Sequence, residues 1–195
     1  MMMIIRSTIR ADLEVLAALH AESLPTSLFT ALGHDALVRF YAYVEASPYE
    51  TAWTAAEGGK VVGVCVVSYE PDSVLRRFVS HAPIAFAREL GKLVVRDAGI
   101  RGKIVQKLRE PSGEPHAPEV TQIFTDQALR GRGIGAALLR ACEAKLRTAR
   151  ISRYFVHTER DDNTAGIRFY RREGFTQIGE SRSFGRAFLV MQKDL

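Results

Sequence analysis

The stretch that decides the fold is Glu119-Val-Thr-Gln-Ile-Phe-Thr-Asp-Gln-Ala-Leu-Arg130-Gly-Arg-Gly-Ile-Gly-Ala-Ala-Leu-Leu-Arg140. Val120, Ile123 and Phe124, together with Thr121 and Thr125, suit a strand. Asp126, Gln127 and the glycines break that pattern. From Ile134 onward, Leu138, Leu139, Cys142 and Leu146 recur at helical spacing among charged residues. A strand therefore runs into a Gly-rich turn, and the turn opens a helix. The first amides of a helix lack backbone partners and sit at the positive end of its dipole. Gly131, Gly133 and Gly135 let a ligand approach those amides, and Arg130 and Arg132 add positive charge. Such a turn suits a pyrophosphate.

The residues around the last glycine narrow the ligand class. A P-loop needs Lys-Ser or Lys-Thr after its last glycine, and Ile134 to Ala137 supplies neither. Gly131-x-Gly133-x-x-Ala136 fits a dinucleotide fingerprint, and Glu159 after the next strand could serve a ribose. That match stands two-thirds along the chain, with too little sequence left for the second half of such a fold. Arg130-Gly-Arg-Gly-Ile-Gly-Ala136 instead resembles the Arg/Gln-x-x-Gly-x-Gly/Ala signature of the GNAT superfamily of N-acyltransferases. Asn163-Thr-Ala165-Gly-Ile-Arg-Phe-Tyr170-Arg-Arg-Glu-Gly174-Phe175 resembles the family's second signature.

The resemblance implies an α/β (α+β) fold: a mixed, mostly antiparallel twisted sheet of six to seven strands flanked by helices. It implies transfer of an acetyl group from acetyl-CoA to a primary amine of a small molecule or peptide, by direct attack in a ternary complex. Arg130, Gly131, Arg132, Gly133, Ile134, Gly135 and Ala136 would cradle the pyrophosphate. The strand through Ile123, Phe124 and Thr125 would align the pantetheine and offer a backbone N–H to the thioester oxygen. Asn163 would contact the cofactor, and Tyr170 would protonate the leaving thiolate. The residue that deprotonates the amine stays open among Glu119, His157, His116 and water, with Glu119 the first choice. A non-catalytic acyl-CoA-binding module and a dinucleotide-binding domain are the competing readings.

Composition sets outer limits. At 195 residues the chain reads as one domain, 1–195, with a substantial core. Its net charge of +5 suits an anionic cofactor but is too diffuse to argue for nucleic acid. Cys65 and Cys142 are far apart without metal-ligand spacing, so no metal is expected and both read as buried small side chains. No apolar run reaches signal-peptide or membrane-spanning length, which makes a cytoplasmic protein without membrane contact the expectation.

Upstream, the pattern predicts a strand over Met3 to Arg10 and a helix over Ala11 to Ser23, capped by Thr8 or Asp12. A second helix runs over Ser27 to Ala46, with Tyr41 and Tyr43 read as packing rather than as a cleft lining. A hairpin turns at Gly58-Gly59. Residues 71–118 form a helical insertion of two or three helices, punctuated by Gly91, Gly99 and Gly102. The insertion carries a basic run at Arg101, Lys103, Lys107 and Arg109. It reads equally as a lid over the acceptor side or as a structural or homodimer-forming hairpin. Downstream, Ile151 to Thr158 is a strand, Thr164 to Arg172 a helix ended by Gly174, and two final strands follow.

Overall fold

The computed structural model describes residues 2–96, 118–161, 163–183 and 185–195. Seven strands form one sheet: β1 (Met3–Ser7), β2 (Glu50–Glu57), β3 (Lys60–Ser68), β4 (Glu119–Thr125), β5 (Arg153–Glu159), β6 (Thr176–Ser183) and β7 (Arg186–Asp194). Their spatial order is β1-β2-β3-β4-β5-β7-β6. Every pairing is antiparallel except β4 with β5. That single parallel pair excludes the doubly wound sheet a dinucleotide fingerprint would need.

Helices cover both faces. On one lie α1 (Leu13–Ser23), α2 (Leu28–Leu32), α3 (His34–Ala46), α4 (Val74–His81) and α5 (Pro83–Arg96), which share a core with Val64, Val66 and Phe124. On the other, α6 (Ile134–Thr148) and α7 (Thr164–Arg172) pack on Cys65, Val67, Val120 and Val156. The central strand β3 is thus covered on both sides, as its continuous apolar run predicts. Gly58 and Gly59, both with positive φ, close the β2–β3 hairpin.

Several local expectations are corrected. The strand expected to Arg10 stops at Ser7. The following helix takes no side-chain cap from Thr8, whereas Asp12 serves its first turn by accepting the Ile9 N–H at 3.0 Å. Thr8 Oγ1 instead bonds Thr54 Oγ1 at 2.8 Å, and Asp12 takes a two-pronged bond from Arg6 at 2.6 and 2.7 Å. The helix expected over Ser27 to Ala46 is broken at Gly33, whose φ of 98° no helix permits. Ser27 caps the first piece by accepting the Thr30 N–H at 3.0 Å. Tyr41 and Tyr43 are both buried, as the packing reading expects.

The insertion begins as two helices, and Gly91 sits inside α5 rather than between helices. Phe78, Phe86 and Leu93 bury their side chains against the α2–α3 layer, where Phe29 stacks on Phe40 and meets Phe78 edge-on. Arg77 anchors α4 by pairing with the buried Glu50 carboxylate, which also accepts the hydroxyls of Tyr43 and Ser68, each at 2.9 Å. A buried charge of this kind persists because every lone pair is met. Gly99, Gly102, the basic run and His116 lie outside the described residues.

Candidate active site

The site begins where β4 and β5 part. β4 pairs with β3 along its length, but with β5 only at Glu119 and Val120. A bulge makes the difference. Val67 faces Val120 and Val66 faces Gln122, so Thr121 is the extra residue. Beyond it, the Asp126 N–H donates to the Val62 carbonyl at 2.8 Å, which turns Asp126, Phe124 and Gln122 toward β3. Strand alternation then points the peptide groups of Ile123 and Thr125 the other way, into the gap beside β5. Gly63 on β3 permits this approach. A Cβ there would stand 2.8 Å from the Phe124 carbonyl oxygen.

β4 leads into the Gly-rich turn. Asp126 accepts the Ala128 N–H at 2.9 Å and starts a short 3-10 turn over Gln127–Leu129. Gly131 and Gly133 then take φ values of 81° and 78°, the left-handed region that favours glycine, and Gly133 is the N-cap of α6. Among the described residues, no acceptor takes the amides of Gly131, Arg132, Gly133, Ile134, Gly135 and Ala136. Gly135 serves packing as well, since its missing Cβ would lie 3.2 Å from the Phe169 ring on α7.

The two arginines of the turn differ. Arg132 forks onto Glu57 of the hairpin at 2.7 and 3.0 Å, so its charge is already paired. Arg130 is exposed and makes no ion pair among the described residues. Asn163 also has work within the fold. Its Oδ1 accepts the Gly166 N–H at 3.3 Å as the N-cap of α7, and its Nδ2 donates to Thr158 Oγ1 at 2.8 Å.

Tyr170 is buried on α7, its ring edge-on to Phe169 and Phe175. Its hydroxyl has no hydrogen-bond partner among the described residues. Burial, with Cys65 and Glu119 nearby, pushes its pKa well above the usual phenol range, so it carries its proton at any working pH. Glu119 meets His157 across the one stretch where β4 and β5 pair, Oε1 to Nδ1 at 3.1 Å. Tyr154 and Val156 of β5 face α6 and α7, so alternation puts His157 on the opposite face, with Glu119. Two of the three candidate bases are therefore one pair, beside the gap and across the sheet from α7. Glu159, further along β5, is held by Arg186 at 2.5 Å.

A third group escaped the sequence. His20 on α1 is fully buried, with Nδ1 2.8 Å from the Tyr41 hydroxyl and Nε2 2.9 Å from Ser27 Oγ. Tyr41 donates to Gln122 Oε1 at 2.8 Å, beside the β4 bulge. Tyr41 spends its proton on Gln122 and Ser27 spends its own on Thr30 Oγ1 at 2.9 Å, so a neutral ring donates to one of these two oxygens only. Burial depresses the His20 pKa to about 4. No local signal marks these residues, because Tyr41 and Gln122 lie 81 positions apart.

Among the described residues, no group of three or more His, Cys, Asp or Glu side chains gathers as metal ligands would, and no helix is long and apolar enough to cross a membrane. An N-acetyltransferase from Staphylococcus aureus Mu50 superposes with a TM-score of 0.69 at 17% identity, over 97% of this chain and 99% of that one. The PaiA N-acetyltransferase of Thermoplasma acidophilum, solved with coenzyme A, gives 0.65 at 14% identity, over 100% of both chains. The ribosomal-protein-alanine N-acetyltransferase of Brucella melitensis gives 0.63 at 21% identity, over 98% and 99%. At these identities the likeness is one of fold. No curated protein sequence matches the chain. The model of the GNAT acetyltransferase family matches residues 16–175, and the chain belongs to that family.

Proposed function

We propose that this protein transfers an acetyl group from acetyl-CoA to the primary amine of an acceptor, by direct attack in a ternary complex. The observation that carries the reading is one continuous unsatisfied edge. The outward peptide groups of Ile123 and Thr125 in the β4–β5 gap lead into six amides, Gly131 to Ala136, that have no acceptor among the described residues. That edge fits a ligand with an amide-bearing arm and an anionic pyrophosphate. Acetyl-CoA supplies both, together with the activated acyl group.

The chain's own residues then divide the work. Gly131 to Ala136 hold the pyrophosphate through backbone N–H groups, with Arg130 adding its charge. Asn163 keeps α7 in place through its cap. The backbone between Ile123 and Thr125 orients the arm and donates to the thioester oxygen as negative charge grows there. The Glu119–His157 pair takes the proton of the incoming ammonium, so the amine attacks neutral. Tyr170 gives its proton to the departing sulfur from the other face. Its raised pKa keeps that proton available.

Gly133 supplies the test. Asp tolerates left-handed φ and is favoured at an N-cap, and no atom lies within 4 Å of a Cβ built there, so Gly133→Asp should fold. It places a carboxylate where the pyrophosphate belongs. Calorimetry should show CoA binding lost in Gly133→Asp and largely kept in the neutral Gly133→Asn, with NAD bound by neither. Equal CoA affinity in wild type and a folded Gly133→Asp protein rejects the assignment.

A further inference from the structure

The Glu119–His157 pair has a third polar neighbour. On β4 the bulge at Thr121 makes Gln122 the next paired residue after Val120, opposite Val66 of β3. On β5 the residue one step past Val156 is His157, and Val120 pairs with Val156. Gln122 and His157 therefore stand level with each other where the two strands part. Val120 and Val156 face α6 and α7, so alternation puts both residues, with Glu119, on the opposite face. The contact of Gln122 with Tyr41 agrees, since α3 covers that face. Glu119, Gln122 and His157 thus surround the start of the gap, and Gln122 is the one the acid–base chemistry does not use.

Gln122 is clamped from behind. Its amide meets the Tyr41 hydroxyl at 2.8 Å, Tyr41 meets His20 Nδ1 at 2.8 Å, and His20 Nε2 meets Ser27 Oγ at 2.9 Å. Ser27 donates to Thr30 Oγ1 at 2.9 Å, and Thr30 Oγ1 to the Leu24 carbonyl at 2.8 Å. A carbonyl only accepts, and that fixes the direction of every proton before it. Thr30 gives its proton to Leu24 and Ser27 gives its own to Thr30, so His20 carries its proton on Nε2 and donates to Ser27. The ring is fully buried and bonds to no carboxylate, so it stays neutral and Nδ1 is a lone pair. With Tyr41 donating to Gln122 Oε1, its oxygen and Nδ1 would meet lone pair to lone pair inside the core. A half turn of the carboxamide, whose two ends have the same shape, removes that conflict. Its NH2 end then donates to Tyr41, Tyr41 donates to Nδ1, and Oε1 faces outward.

The outward end is open. Gln122 is half-buried and makes no further hydrogen bond among the described residues, where Ser23 Oγ is the only sealed side-chain N or O atom without a partner. Resting on the acetyl-transfer reading, we infer that Gln122 binds the acceptor: its amide oxygen accepts an N–H of the incoming amine and so selects primary over secondary amines. A nitrogen poised to attack has its tail on one side and its lone pair aimed at the thioester. Its two remaining directions are both N–H groups in a primary amine, one for the Glu119–His157 pair and one for Gln122. A secondary amine fills one of them with carbon and leaves either the pair or Gln122 unmet, a desolvated polar group without a partner. The clamp through Tyr41 and His20 keeps the amide from turning its donor end to the amine.

Nitrogen NMR of the free enzyme tests the clamp. The His20 proton is expected on Nε2 with Nδ1 bare, and a proton on Nδ1, or on both, overturns the proposal. Selection is read by thiol release with benzylamine, tyramine and glycinamide, each against its N-methyl derivative. Wild type should favour the primary member by about tenfold or more in kcat/KM. Gln122→Met keeps the length of the side chain but removes the acceptor, and should cut that ratio about tenfold with the KM for acetyl-CoA unchanged. Tyr41→Phe, which releases the amide, should lower the ratio part of the way. A ratio near one in wild type, or one that survives Gln122→Met, overturns the proposal. Failure of the acetyl-transfer reading looks different: no thiol release with any amine. Binding is then read by NMR titration with methylammonium. Shifts of the Gln122 side-chain amide that tetramethylammonium does not produce uphold the amine site, and their absence overturns it.

Discussion

Gly63→Ala tests the geometry of the site without touching any group that would meet a ligand. A Cβ at Gly63 would stand 2.8 Å from the Phe124 carbonyl oxygen, with Thr125 atoms at 3.1 and 3.3 Å. Ordinary contact begins near 3.4 Å, so β4 must retreat by about 0.6 Å, and its partner here is backbone, which cannot rotate away. Overpacking of this kind costs about 1–3 kcal/mol. Replacing a strand glycine returns about 0.5–1 kcal/mol of chain entropy. A net loss of about 1–2 kcal/mol is expected. The shift falls on Phe124 and Thr125, beside the outward peptide groups that would align the thioester. Since a misplacement of about 1 Å can cost about a hundredfold, about tenfold in kcat/KM is expected. Urea unfolding reads the first number, and steady-state thiol release well below the melting temperature reads the second. Gly91→Ala is the control, because a helical Cβ there meets nothing within 4 Å and should stabilise by about 0.5–1 kcal/mol. A Gly63→Ala protein with an unchanged urea midpoint and unchanged kinetics would refute the close-approach argument.

Two further outcomes rest on buried groups. Tyr170→Phe removes a hydroxyl that makes no hydrogen bond among the described residues, so stability should stay within about 0.5 kcal/mol. Turnover should fall by roughly one to four orders of magnitude with CoA affinity unchanged, and normal kcat would leave Tyr170 as packing alone. His20, neutral and buried, titrates near 4 folded and near 6.5 unfolded. The unfolded chain therefore binds the extra proton between those values. The stability His20 contributes is full above about pH 6.5 and drains away as pH falls toward 4, by about 3 kcal/mol in total. Subtracting the pH profile of His20→Gln from that of wild type isolates this part, and a difference that stays flat from pH 7.5 to pH 5 would rule it out.

Legibility varied with range along the chain. The Gly-rich turn, its strand and its helix were readable because the chemistry is local. Gly131 and Gly133 need left-handed φ, and the helix stripe begins within one turn of them. The β2–β3 hairpin was readable for the same reason. Breaks inside helices were not. Gly33 divides α2 from α3 and Gly91 divides nothing, although both are glycines in apolar-periodic runs. What separates them is the packing of α2 on α5 and α3, which no window of sequence contains.

By itself, then, the sequence determined the strand, turn and helix around the candidate phosphate cradle, the β2–β3 hairpin and the family resemblance, since each rests on residues within a few positions of one another. Tertiary structure decided which groups meet. It joined Glu119 to His157 by the parallel pairing of β4 and β5, and opened the gap beyond them through the bulge at Thr121. It turned Arg132 away onto Glu57 and left Arg130 without an ion-pair partner among the described residues. It buried His20 against Tyr41 and Ser27 and so held it neutral. The physical reason is the same in each case. Propensity and periodicity act over a turn or a strand, whereas burial, ion pairing and pKa depend on what other segments bring to the same few ångströms.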